Sequence, residues 1–306
     1  MINYFYRSSE REDIKKINRF YSGMWVCVEK PDESELEKIT RKFKLDIGLL
    51  KDVLDPFEVP RVEKDGRDTY FFCRAPIVED GTLSTVPVLF VINKKFLLTI
   101  INKPLTIFEK YLNNKVNFVT KNGFNLFLQI FGEINNLYNS SLITISKRIS
   151  QASSNIEKIE NKDIAQFVNY EQITNEYLNR LIQNNSVLNR IVTDRSFKLS
   201  ETNKELLDDL VLANGQLIEL SKNSLQNVKN IRDSYSTILS NNLNRVIKLL
   251  TSLTIILNVP TMVAGLWGMN VNVPFARSLY AFVFVLIIIL LICLVLIRIF
   301  RKKDWI

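Results

Sequence analysis

Apolar positions change their spacing twice along this chain. Over roughly the first 120 residues, short runs rich in Val, Ile, Phe and Tyr alternate with turn signals such as Asp80-Gly81. That pattern predicts strands at Met1–Tyr6, Met24–Val28, Tyr70–Ile77, Val86–Asn93 and Phe96–Ile101. Pro31-Asp32 opens a helical pattern over Glu33–Lys44, and a second covers Gly48–Leu54. From about Asn122 onward Gly and Pro become rare and apolar residues recur at helical spacing. Phe124–Glu160 and Asp163–Phe197 then read as two antiparallel helices. A third opens at Glu201, Thr202 or Asn203 and meets no proline before Pro260, with Gly215 its one internal weak point. Such a helix runs on the order of 100 Å. That length suits a stalk or a pore wall.

The last change is to segments without charge. Leu279–Ile297 is apolar on every face and long enough to cross a hydrocarbon core of roughly 30 Å. Leu249–Gly268 is also uncharged but carries Thr251, Ser252, Thr254, Asn258 and Thr261. Polar groups in lipid turn toward protein or water, so this first span is expected inside an assembly and the second against lipid. Arg245 and Lys248 precede the spans, and Arg298, Arg301, Lys302 and Lys303 follow them; the connecting segment holds one basic residue, Arg277. The positive-inside rule puts both termini in the cytoplasm of a multi-pass protein of the plasma (inner) membrane. No N-terminal stretch resembles a cleavable signal. The expected organisation is an α/β cytosolic domain (1–120), a helical hairpin (121–200) and a stalk (201–248). A first span (249–268), an outer loop (269–278), a second span (279–297) and a basic cytosolic tail (298–306) follow.

Projected at about 100° per residue, the long helix carries one stripe. Asp233, Ser236, Ser240 and Asn244 share a narrow arc, Ile247 and Leu250 continue it, and Thr254, Asn258, Thr261, Gly265 and Gly268 complete it. The face is polar, then apolar for two turns, then polar or small. Copies of it around an axis would wall a wet tube with a hydrophobic constriction able to gate by dewetting. Small and hydroxyl residues at this spacing also serve tight helix packing.

The formal net charge is +8. Contact with anionic lipid accounts for it, since no nucleic-acid-reading motif is present. The chain has no histidine, which removes imidazole catalysis and imidazole metal sites. Cys27, Cys73 and Cys293 are isolated and form no thiolate site. Any bound metal is therefore expected on oxygen ligands, which suit magnesium. No phosphate-binding Gly-rich motif and no catalytic cluster is found, so neither nucleotide use nor enzyme activity is expected.

Pro260-Thr261-Met262-Val263-Ala264-Gly265-Leu266-Trp267-Gly268-Met269-Asn270 resembles the membrane signature of the CorA family of magnesium channels. Lys302-Lys303-Asp304-Trp305-Ile306 resembles that family's basic, Trp-containing end. Leu50-Lys51-Asp52-Val53-Leu54 with Arg61-Val62-Glu63 resembles its Leu-x-Asp-x-Leu segment and trailing Arg-x-Glu. The resemblance implies a homopentameric funnel with an α/β cytosolic domain and a long stalk helix entering the pore. It implies a selectivity filter at Gly268, Met269 and Asn270, a polar ring at Thr261, a gate at Ile247 and Leu250, and an acidic ring at Asp233. Asp52 and Asp209 match carboxylates that hold regulatory magnesium between neighbouring subunits. The implied activity is influx of magnesium, with cobalt or nickel also passing, driven by membrane potential and gated by cytosolic magnesium. A zinc or other transition-metal transporter of the same superfamily is the alternative, though such relatives tend to carry Ile at the place of Met269. A non-conducting membrane-anchored coiled-coil scaffold is the alternative of another class. Two departures stand out: the loop Val271–Arg277 has no acidic residue where the family commonly has an acidic loop, and the hairpin tip around Ser146–Lys162, often acidic in the family, carries Asn, Ser and Lys.

Overall fold

Among the described residues, short extended runs in the first 101 positions form seven strands. They are β1 (Ile2–Tyr6), β2 (Lys15–Lys16), β3 (Met24–Glu29), β4 (Arg61–Asp65), β5 (Asp68–Glu79), β6 (Thr82–Ile92) and β7 (Phe96–Ile101).

 

In the computed structural model of the protein they form one seven-stranded sheet in the order β2-β1-β3-β7-β6-β5-β4. β3 and β7 pair in parallel at its centre, and every other neighbouring pair is antiparallel. The structure describes residues 2–79, 81–153, 161–197, 199–269 and 280–306. Contacts divide the chain into two compact units, Met1–Asn230 and Ile231–Ile306.

Both faces of the sheet are covered, which explains why its central strands read as continuous apolar runs rather than alternating ones. On one face α1 (Glu33–Phe43) and α2 (Ile47–Asp52) bring Leu36, Ile39 and Leu50 onto Val26, Val28, Phe72, Leu89 and Leu98. Asp32 caps α1 in a reciprocal capping box with Glu35. On the other face Trp25 packs against Phe108 and Tyr111 of α3 (Thr106–Leu112) and against Phe118. Phe71 and Phe90 pack there against Phe127 of α4 (Gly123–Ser153).

β4 stops pairing with β5 at Phe72, which would leave the edge of β5 bare beyond it. Asn184 of α5 (Asn161–Thr193) takes the place of the missing strand. Its Oδ1 accepts from the Arg74 N–H at 3.0 Å and its Nδ2 donates to the Arg74 carbonyl at 2.9 Å. Tyr138 Oη of α4 donates to the same carbonyl at 3.1 Å. The sheet edge is thus locked to both long helices. α4 also runs parallel to the start of α6 (Glu201–Trp267): Asn125 Nδ2 donates to Asn203 Oδ1 at 2.9 Å, and Asn214 Nδ2 to Asn135 Oδ1 at 3.2 Å.

Several elements differ from the sequence-based expectation. β2, β4 and α3 were not anticipated, and β5 and β6 extend beyond the predicted Tyr70–Ile77 and Val86–Asn93 at their shared hairpin. α5 ends at Thr193, short of Phe197, because the Asp194 carboxylate accepts the Ser196 N–H at 2.9 Å and turns the chain. The last helix, α7 (Ala281–Lys302), continues past Ile297 and takes in Arg298, Arg301 and Lys302 from the expected tail. Cations in a final helical turn suit the negative end of the helix dipole. Asp80, the end of the predicted Phe124–Glu160 helix beyond residue 153, and the loop 270–279 lie outside the described residues.

Candidate functional site

Among the described residues two helices, α6, whose C-terminal part belongs to the second unit, and α7, are long and apolar enough to cross a membrane. On α6, Ser252 is buried and Ile256, Val259, Pro260, Val263 and Trp267 are half-buried. Ala281, Val285, Ile288, Ile289, Cys293, Leu296 and Ile297 form the matching covered stripe on α7. Cys293 Sγ lies 3.9 Å from the Ile256 carbonyl. The contact has a reason: Pro260 sits inside α6 and supplies no N–H, so the carbonyl four residues before it loses its helical donor. The thiol stands in for that donor.

The polar and small stripe lies on the opposite side. Thr254, Asn258, Thr261, Gly265 and Gly268 are all exposed, as are Asp233, Ser236, Ser240 and Asn244. Their arc within the span is centred roughly 170° from the arc covered by α7, taking about 100° per residue. Thr254 Oγ1 donates to the Leu250 carbonyl at 2.8 Å and Thr261 Oγ1 to that of Leu257 at 3.3 Å. With their protons used inside the helix, both hydroxyls offer lone pairs to whatever faces them. Between the polar stretches Ile247 and Leu250 are 51% and 63% exposed, so the chain by itself gives this apolar band no cover. Met269 is exposed beside Gly268, and Asn270 lies outside the described residues.

In the first unit, Asp52 ends α2 and Arg61 begins β4. Arg61 sits among three carboxylates: Nη2 contacts Asp52 Oδ2 at 2.6 Å, Nη1 contacts Glu58 and Nε contacts Glu63. Its guanidinium lies 4.0 Å over the ring of Phe72, its cross-strand partner. The connecting loop is gripped from inside by Arg74, whose Nη1 donates to the carbonyls of Pro56 at 2.7 Å and Glu58 at 3.0 Å. Burial pushes the Arg74 guanidinium pKa down, with Arg180 adding to the effect. Asp209 is exposed on α6, turned away from the buried Leu207 and Leu210. Among the described residues no group of three or more His, Cys, Asp or Glu side chains is placed to hold a metal.

The described residues singled out in the sequence, Met269 apart, therefore occupy two places: one exposed face at and just beyond the C-terminal part of α6, and the surface carboxylates Asp52 and Asp209. Sequence reasoning missed Arg61 as the partner of Asp52, Arg74 as the clamp beneath it, and Cys293 as the partner of the proline-freed carbonyl. Only the last had a signal, a proline within a span.

A family model described as CorA-like Mg2+ transporter protein matches residues 22–302. The cobalt/magnesium transport protein CorA of Methanocaldococcus jannaschii is 25% identical over 296 residues, which is 94% of this chain and 92% of that protein. The magnesium transport protein CorA of Helicobacter pylori is 24% identical over 237 residues, 74% of this chain and 73% of that one. The complete structure of the CorA magnesium transporter from M. jannaschii superposes with a TM-score of 0.89 at 22% identity, covering 100% of this chain and 99% of the other. The fold is shared from end to end.

Proposed function

The chain belongs to the CorA-like Mg2+ transporter family, and on that premise we propose that it is a membrane channel for divalent cations, with magnesium its main substrate. The observation that carries this reading is the polar and small face of α6, turned away from α7 and left open by the chain itself. Five copies of that face around an axis enclose a water-filled path; Ile247 and Leu250 form its apolar gate and Asp233 a ring of charge on one side of it. Thr254, Asn258 and Thr261 line the path with neutral oxygens. Gly268, Met269 and Asn270 form the filter, where amide and carbonyl oxygens hydrogen-bond the water shell that magnesium releases reluctantly. Neutral oxygens also let the ion leave, as conduction requires. Entry of two charges down an inside-negative potential is favourable by roughly 4–5 kcal/mol per 100 mV, so the reading needs no nucleotide.

Gating by cytosolic magnesium belongs to the same reading. Asp52 and Asp209 are surface carboxylates, and hard oxygen donors suit a hard cation. Among the described residues of one chain no group of three such ligands forms, and the site we propose lies between protomers. A cation bound there would supply positive charge between facing carboxylates that otherwise repel.

Flux into proteoliposomes under an imposed inside-negative potential tests the proposal. Magnesium is expected to enter, with cobalt and zinc compared alongside, and Asn270→Ala is expected to abolish entry while the purified oligomer keeps its size. Normal magnesium entry in that variant would reject the filter, and no entry in the unaltered protein would reject the channel.

A further inference from the structure

Resting on the reading of Asp52 as half of a regulatory cation site, we infer that Arg61 is a built-in competitor for that site. Its guanidinium holds Asp52 when divalent cation is scarce and is left to Glu58 and Glu63 when a cation takes Asp52.

The geometry supplies each part of this device. All three guanidinium nitrogens are engaged, each by a different carboxylate. Release of Asp52 therefore leaves Arg61 with two carboxylates and the face of Phe72, never as an unpaired charge. The cluster of three carboxylates and one guanidinium is negative by two charges, and a divalent cation brings it to neutrality where a monovalent one does not. The exposures differ in the useful direction: the side chains of Asp52 and Glu63 are each 39% exposed, whereas that of Glu58 is 13% exposed. A cation arriving from solvent meets Asp52, while Glu58 keeps the arginine anchored inside. The anchor is itself fixed, because Arg74 holds the Glu58 backbone carbonyl.

Competition sets the concentration at which the sensor responds. A partly exposed ion pair is worth little, so the arginine is expected to raise the half-maximal magnesium concentration by only about 1.5- to fivefold.

The test is the magnesium dependence of the unfolding temperature of the full-length protein in detergent, with magnesium chloride as the only added ligand. Arg61→Gln is expected to lower the half-maximal concentration by about 1.5- to fivefold. Glu63→Gln, which removes one of the arginine's other carboxylates and one negative charge, is expected to raise it by a similar factor. Asp52→Asn is expected to lose the saturable response. If Arg61→Gln leaves the midpoint unchanged while Asp52→Asn abolishes the response, Arg61 is no competitor and the sensor reading stands. If Asp52→Asn keeps the unaltered midpoint, the sensor reading falls and takes this inference with it. Should Arg61→Gln fail to fold, Arg61→Lys decides, since it keeps the charge but not the fork that reaches Asp52: a lower midpoint supports competition, and no change overturns it.

Discussion

Replacing Arg74 with methionine keeps most of the side-chain stem and removes the guanidinium that clamps the loop after Asp52. Four hydrogen bonds go with it: to Thr85 Oγ1 at 3.0 Å, and to the carbonyls of Pro56 at 2.7 Å, Glu58 at 3.0 Å and Thr85 at 2.7 Å. At about 1.5–3 kcal/mol for each bond to a charged group, the gross loss is roughly 6–12 kcal/mol. Leaving the charge in water instead of in the protein returns several kcal/mol of desolvation. The expected net cost is about 3–5 kcal/mol, what remains of the four bonds after that return. Pulse proteolysis of the detergent-solubilised protein in urea measures it. For a slope of about 2–3 kcal/mol per molar, the midpoint should fall by about 1–2.5 M. Arg74→Lys keeps the charge but not the planar fork and should recover less than half of the loss. A methionine variant within about 0.3 M of the unaltered protein would refute the reasoning. It would mean that desolvation cancels the four bonds and that the loop is held by something else.

Cys293→Ala leaves the Ile256 carbonyl without its thiol donor and should lower the thermal stability of the purified protein by about 0.5–1 kcal/mol, with Cys293→Ser retaining it. Equal loss in both variants would assign the effect to packing alone. Hydrogen bonds from Lys64 and then from Ser196 hold the Asp194 carboxyl well below the usual carboxylate range. A depressed folded-state pKa contributes stability in full above the unfolded value of about 3.9, and that contribution is lost as pH falls below it. The unaltered protein should therefore outlast Asp194→Asn in urea at neutral pH, the gap closing below about pH 4; a gap independent of pH would contradict the assignment.

Elements buried on both sides announced themselves. β3 and β7 are apolar apart from Glu29 and Thr99, and the spacing of apolar residues marked α4, α5 and α6 without help from any partner. β4 did not, because Arg61-Val62-Glu63-Lys64-Asp65 carries four charges in five residues and is a strand only through its pairing with β5. The turn at Gly66, with its positive φ of 57°, was the available signal for that hairpin. β2 is two lysines long and has no pattern of its own to read. The open face of α6 was legible as a stripe, but its placement opposite α7 needed the packing of two helices. Arg74 gave no hint of burial, since its partners are backbone carbonyls and a threonine rather than an acid. Arg61 and Asp52 are nine positions apart and meet only because the loop between them folds back.

The central claim is that water reaches the face of α6 turned away from α7. On a Cys293→Ala background, a single cysteine at Thr261 or at Val263 can be challenged in proteoliposomes with a charged, membrane-impermeant thiol reagent. Cys27 and Cys73 are buried, and burial pushes both thiols up, so they should stay silent. Because the thiolate needs water, Thr261→Cys should react at least about tenfold faster than Val263→Cys, and its modification should block magnesium entry. Equal rates at the two positions, or faster reaction at Val263→Cys, would contradict the account.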